Sequence, residues 1–336
     1  MSSDRQIVCS APGRAGIIGN PTDMYGGAVL SCSVGVRARA IITADDTLTL
    51  ATNNQECYIT SWDDLRPRRD LFDLARAVFD YLRLPRLACR VEYASEIPLR
   101  SGMAGSTALV VAILKGLLAW QNVFPSPYRL AEMARYIELN HLKVVCGYQD
   151  AYMCSFGGLN YMDFRGKQFY REAEAELLAT IEPLAPYVQR LPFVLGFTGV
   201  RHSSGAVHKP IRERWLEGEP EVVAGYERIT EIARISKKAL LLEDWSLLGK
   251  LMNENHAIQR SLGGSGESNE RLVAAALEAG ALGAKLAGAG DGGTIIALWL
   301  NEDIAPLEEA LKLAGASAIY RLCVAPGAIL ENQPEQ

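Results

Sequence analysis

The chain has 336 residues, 49% of them hydrophobic and 22% charged, with a formal net charge of −5 and a mean hydropathy of +0.04. This is the composition of a soluble globular protein with room for two domains or lobes, and its charge gives no broad pull toward nucleic acid. No apolar run reaches the length needed to cross a bilayer, so no membrane role is expected. The start, Met1-Ser-Ser-Asp-Arg-Gln, is polar and lacks a signal-peptide core, and the seven cysteines are scattered without paired spacing. Both features point to reduced thiols and a cytoplasmic home. A small-molecule enzyme, monomeric or homodimeric, fits these bounds best; a regulatory binding protein fits them too.

In chain order, Ile7-Val-Cys-Ser leads into a turn-rich segment, Ala11 to Gly27, that holds Arg14, Asn20, Thr22 and Asp23 close together. Strand patterns follow over Ala28 to Val36, Arg37 to Thr43 and Leu48 to Thr52, too closely spaced for helical crossovers, so the early sheet should be mostly antiparallel. Apolar residues from Leu71 to Leu82 recur at helical spacing. A strand over Ala88 to Ser95 then runs into a loop with Gly102 and Gly105, and Leu109 to Trp120 reads as a buried helix. A further helix is predicted from Pro127 to about Asn140, and a strand over Leu159 to Asp163.

The second half opens with a strand, Leu191 to Thr198, and a loop, Gly199 to Gly205. Helices follow over Pro220 to Leu242, Trp245 to Ser261 and Glu270 to Ala279. A second glycine loop, Ala284 to Thr294, feeds the strand Ile295 to Leu300, and a helix over Pro306 to Leu313 precedes a closing strand. Strands and helices intermix, which makes the class α+β.

Two glycine loops matter chemically. Gly102 to Ser106 sits between a strand and a helix start, where backbone N–H groups and the helix dipole can gather an anion. It is not a Walker A loop, because no Lys-Ser or Lys-Thr pair follows the glycines. An ordinary capped turn explains that loop equally, and tight packing of a turn explains Gly288 to Gly293. The two loops together with the Arg/Asp-rich first segment could surround a polyphosphate.

Three motifs carry a family resemblance. Pro12-Gly-Arg-x-x-Ile-Ile-Gly-x-x-x-Asp-x-x-Gly-Gly27 resembles the first motif of the GHMP kinases, the sugar and small-molecule kinases named for galactokinase, homoserine kinase, mevalonate kinase and phosphomevalonate kinase. Pro98 to Ala108 resembles their phosphate-binding motif, and Lys285 to Thr294 their third, glycine-rich motif, in the family's order and spacing. Within the family, Ile18 to Gly27, Gly102 to Thr107, Ser204 to Gly218 and Asn255 to Gly263 are most similar to the glucuronokinase-like sugar 1-kinases. Kinases of heptose phosphates share the glycine pattern of Gly147 to Gly158.

The resemblance implies a two-lobed fold, with a ribosomal-protein-like α+β lobe over residues 1–190 and a ferredoxin-like lobe over 191–336. It implies ATP and Mg²⁺ as cofactors and a small-molecule sugar as substrate. Gly102, Ala104, Gly105, Ser106, Thr107, Gly288 and Gly290 would bind the nucleotide, and Ser106 and Glu138 would hold the metal. Asp150 would take the proton of the attacking hydroxyl, with Arg14 neutralising the transferring phosphoryl group. Asn20, Thr22, Asp23 and Gln149 would line the sugar pocket; galactokinases have Glu where Asn20 stands.

A substrate carboxylate would call for a cation, for which Arg201, His202, Lys209 and Arg260 are candidates by loop position. Asp291 is an odd anion for a phosphate loop. The implied reaction is phosphorylation of an anomeric hydroxyl, first of all that of glucuronate. Heptose phosphate, galactose or arabinose are alternatives, as is an inactive ligand-binding regulator of the same fold.

Overall fold

The computed structural model describes residues 5–84, 86–98, 101–170, 177–199, 204–288 and 293–331. Its first sheet begins with β1 (Gln6–Ile18), β2 (Ala28–Ala44), β3 (Leu48–Thr52) and β4 (Gln55–Ile59). Next come α1 (Asp73–Leu82), β5 (Cys89–Ser95), α2 (Gly105–Trp120), α3 (Pro127–Tyr136), α4 (Gln149–Phe156), β6 (Leu159–Asp163) and β7 (Thr180–Pro183). The second half holds β8 (Phe193–Phe197), α5 (Ser204–Leu216), α6 (Pro220–Leu241), α7 (Trp245–Ser261), α8 (Glu267–Glu278) and β9 (Gly283–Leu286). It ends with β10 (Thr294–Leu298), α9 (Ala305–Leu313), β11 (Ala318–Arg321) and β12 (Ile329–Leu330).

β1 and β2 pair antiparallel along nearly their whole lengths and form the spine of the first sheet. The turn-rich first motif is therefore a strand. Its register with β2 breaks between Pro12 and Arg14 and again between Gly16 and Ile18, so the glycines and proline are absorbed as bulges that bend the strand and re-aim its side chains. The two predicted strands on either side of Val36 are one continuous strand, β2, in which no residue breaks the pairing of Arg37 to Thr43 with β1. One pair in this sheet, β3 with β5, is parallel. The last strand of the chain, β12, returns to pair with Cys9 and Ser10 of β1.

α2 lies across β1 and β2 and is buried on nearly all sides, which its run of Val, Ile, Leu and Ala permits and its lack of charge other than Lys115 requires. Lys115 reaches out of this core to donate to the Ala328 carbonyl. The second sheet has strand order β11-β8-β10-β9, all antiparallel, the arrangement of a βαββαβ ferredoxin-like unit. α8 and α9 cover it with Leu272, Val273, Ala276, Leu307 and Leu311. Among the described residues no helix is long and apolar enough to cross a membrane, and the cysteines are free.

Candidate active site

Three segments distant in sequence meet through their backbones. Arg14 N donates to Met103 O at 3.0 Å, Gly16 N to Ala287 O at 3.0 Å, and the Thr294 hydroxyl to Ser101 O at 2.8 Å. The contacts are so close that side chains are excluded. A Cβ on Gly13 would lie 2.7 Å from Met103 O, and one on Gly288 would lie 2.5 Å from Gly102 O. Gly102 adopts φ +73°, and Ala104 sits at φ +63°, a left-handed conformation that an L-residue holds only under strain, just before α2 begins.

Arg14 is the centre of this junction. Its Nε donates to Asp150 Oδ1 at 2.7 Å and its Nη2 lies 2.6 Å from the same oxygen, while Nη1 donates to Gly102 O and, at 3.3 Å, to Ala287 O. One guanidinium thus ties a carboxylate to both glycine loops. Asp150 is the second residue of α4; its Oδ2 takes no donor among the described residues. The start of α4 is capped by Asp23, whose Oδ2 accepts from Tyr148 N at 2.8 Å and Gln149 N at 2.9 Å. Burial pushes the Asp23 carboxyl up to about 6, against the two backbone donors that favour its charge.

Glu138 lies in a five-residue π-helical turn, Ile137–His141, that continues α3. The predicted α-helix to Asn140 thus changes pitch at the carboxylate. Wide turns of this kind redirect side chains, and here Glu138 is buried and accepts a 2.8 Å hydrogen bond from the Thr107 hydroxyl. Desolvation pushes its carboxyl up to about 8. Ser106, expected beside Glu138, is exposed at the first turn of α2, and Thr107 holds the Glu138 contact instead: one residue along a helix turns a side chain by about 100°.

The residues expected around the sugar differ in how much of their chemistry is free. Asn20 donates from Nδ2 to Gly288 O at 3.1 Å and accepts at Oδ1 from Lys285 Nζ at 2.7 Å. Thr22, fully buried, donates to Gly19 O at 2.8 Å within its own turn. Gln149 donates from Nε2 to the Ser31 hydroxyl at 2.9 Å. Asp23 keeps Oδ1 without a protein donor among the described residues. Arg260, expected to meet a carboxylate, is exposed and pairs with Glu270 at 3.5 Å. Arg201, His202, Gly290 and Asp291 lie outside the described residues, as does the side chain of Lys209.

A cation not singled out from the sequence, Arg212, stands at an aromatic cluster around Tyr25. Tyr25, two residues after Asp23, packs against Trp215, Tyr226 and Phe169 with ring centroids 4.9, 4.7 and 5.6 Å away. Phe169 is tied to the same turn through its N–H to Met24 O at 3.0 Å. The Arg212 guanidinium stands 5.6 Å from the Phe169 ring, its charge acts on Tyr25, and its buried Nε has no hydrogen-bond partner among the described residues. Its signal in the sequence was its place in Ser204 to Gly218.

Three family models match: the GHMP kinases N terminal domain over residues 71–158, the GHMP kinases C terminal over 236–317, and the galactokinase galactose-binding signature over 2–44. The chain belongs to the GHMP kinase family, whose members are phosphotransferases. Among its relatives, the probable glucuronokinase 2 of Arabidopsis thaliana is 28% identical over 327 residues, covering 90% of this chain and 87% of its own. The mevalonate kinase of Thermococcus sibiricus is 26% identical over 97% of this chain and 99% of its own. In fold, the chain superposes on Lactococcus lactis galactokinase complexed with galactose with a TM-score of 0.79 at 17% identity, covering 98% and 96% of the two chains.

Proposed function

We propose that the protein transfers the γ-phosphoryl group of ATP to the anomeric hydroxyl of a uronic acid, converting glucuronate to glucuronate 1-phosphate. The observation that carries the kinase reading is the Arg14 guanidinium, bonded at once to Asp150 and to carbonyls of both glycine loops. An acceptor hydroxyl at Asp150 is then next to any phosphate lying on those loops, and phosphoryl transfer depends chiefly on such positioning and charge neutralisation. Asp150 would orient the hydroxyl through Oδ2 and take its proton, and Arg14 would balance the charge passing between donor and acceptor. Asp23 has a dual part: Oδ2 holds the start of α4, and Oδ1 is left for a sugar hydroxyl.

The residues suit a nucleotide with Mg²⁺. Glu138 is a buried carboxylate whose one bonded partner is the neutral hydroxyl of Thr107, so a hard cation would restore its charge. Mg²⁺ keeps several waters and shares phosphate oxygens, so it needs few ligands from the protein. Ser106, the exposed residue before Thr107, is the hydroxyl we assign to it. Bound there, Mg²⁺ would draw negative charge from the phosphate oxygens.

The uronate reading has support in glucuronokinase 1 and probable glucuronokinase 2 of Arabidopsis thaliana, at 27% and 28% identity, and in Arg212, whose Nε has no hydrogen-bond partner among the described residues, at the aromatic wall beside Asp23. A panel of uronic acids, neutral sugars and sugar phosphates, assayed for ADP release, tests it. Turnover should be fastest with a uronic acid; a neutral sugar turned over in preference, with glucuronate inert, would overturn the substrate and leave the kinase.

A further inference from the structure

Lys285 stands in β9, a four-residue strand buried at every position. An ammonium there must find acceptors or give up its charge. Its Nζ donates to Asn20 Oδ1 at 2.7 Å and to the Leu286 carbonyl, both neutral. Among the described residues no carboxylate is bonded to it. The charged groups that face it are Arg14 of β1 and His256 of α7, the latter with Glu270 of α8 2.9 Å from its Nε2. Burial first, and the Arg14 charge second, push the Lys285 ammonium down to about 7.

The lysine decides which way Asn20 points. An ammonium only donates, so the amide oxygen must face it and the Nδ2 group must face the other way. That sends Nδ2 to Gly288 O at 3.1 Å and, more weakly, to Leu286 O at 3.4 Å. Asn20 is thereby spent at both ends, against its expected place among the sugar ligands. What it holds is the entry of the second glycine loop. Ala287 is fixed by Gly16 and Arg14, and Gly288, the next residue, is fixed by Asn20 where it abuts Gly102 with no room for a Cβ.

We propose that Lys285 and Asn20 form a latch that sets the spacing between the second glycine loop and the Gly102 loop, and so act as positioning residues for the nucleotide phosphates. This rests on the reading above that the two loops hold a nucleotide. A shift of a few tenths of an ångström at Gly288 moves the loop against Gly102, and hydrogen-bond geometry at the phosphates moves with it.

Two variants separate positioning from folding. Lys285→Met removes the group that orients the amide and also removes a buried charge. Asn20→Asp gives the lysine a carboxylate, while losing the donor to Gly288 O and placing an anion against that carbonyl. Both should therefore melt no lower than the wild type and yet bind ADP about tenfold more weakly, the loss of about one good hydrogen bond. The measurement is metal-free calorimetric titration with ADP, paired with thermal melts and with separate KM values for ATP and sugar; the ATP KM should rise and the sugar KM should not. Unchanged ADP affinity in both variants overturns the latch. So does an affinity loss that comes only with a lower melting temperature. A wild-type protein that binds no ADP would bring down the nucleotide reading itself, and the latch with it.

Discussion

Asp150 and Arg14 carry the chemistry of the account at the level of single residues. Removing the Asp150 charge should leave ADP affinity near normal and cut turnover about a hundredfold or more, which Asp150→Asn checks by calorimetry and steady-state kinetics. Arg212→Met should raise the KM for a uronic acid by about tenfold to a hundredfold, the range of one charge-assisted hydrogen bond, and leave the KM for a neutral sugar alone. Asp23 gives a pH signature. Its folded-state value, about 6, stands above the ordinary 3.8, so the folded protein holds its proton more tightly than the unfolded chain does. The resulting stabilisation is complete below about 3.8 and is lost as pH rises through about 6, on the order of 3 kcal/mol in all. Urea melts of the wild type and Asp23→Asn across that window should show the wild type losing stability relative to the variant as pH rises. The residue types at this site were legible in the sequence; their partners were not. A motif says that Asn20 and Thr22 lie near the sugar turn, but whether their amide and hydroxyl are free depends on a lysine 265 positions away and on the turn's own carbonyls.

Among the elements, the long amphipathic helices were the easiest to read, because an apolar face at helical spacing needs only neighbours along the chain; α4 and α5 were not read as helices. Trp245–Ser261 agrees with its predicted bounds, and Pro220–Leu241 falls one residue short. The first motif was harder. Its Gly and Pro content reads as turns, whereas pairing with β2, a non-local contact, draws it into a strand with two bulges. The π-helical turn at Glu138 has no local signature either; Leu142 N bonding Ile137 O at 3.0 Å marks it. The glycine loops make the sharpest demand. Gly288→Ala would drive a methyl group into the Gly102 carbonyl, so the loops must part, and nucleotide affinity should fall about tenfold or more in a calorimetric titration. Affinity equal to wild type would mean that the tight approach of the loops does nothing for the ligand.

Over the whole molecule, α+β mixing was visible in the order of elements, but the βαββαβ order of the second sheet was not, because β9 (Gly283–Leu286) falls at the start of the segment that reads as the second glycine loop. The return of β12 to β1 was not, because a two-residue strand has too little pattern to announce its partner. That return ties the end of the chain to the strand that carries Arg14, so both ends of the sequence brace the same edge of the site. Arg14 in turn joins α4 to the loop before α2 and to the loop after β9, which makes the junction of the two sheets the place where donor and acceptor would meet. The most direct test of this account is phosphorus and proton NMR of the product formed from ATP, Mg²⁺ and glucuronate. A new phosphate coupled to the anomeric proton should form together with ADP; no ADP formation, or a phosphate on any other carbon of the sugar, would contradict this assignment.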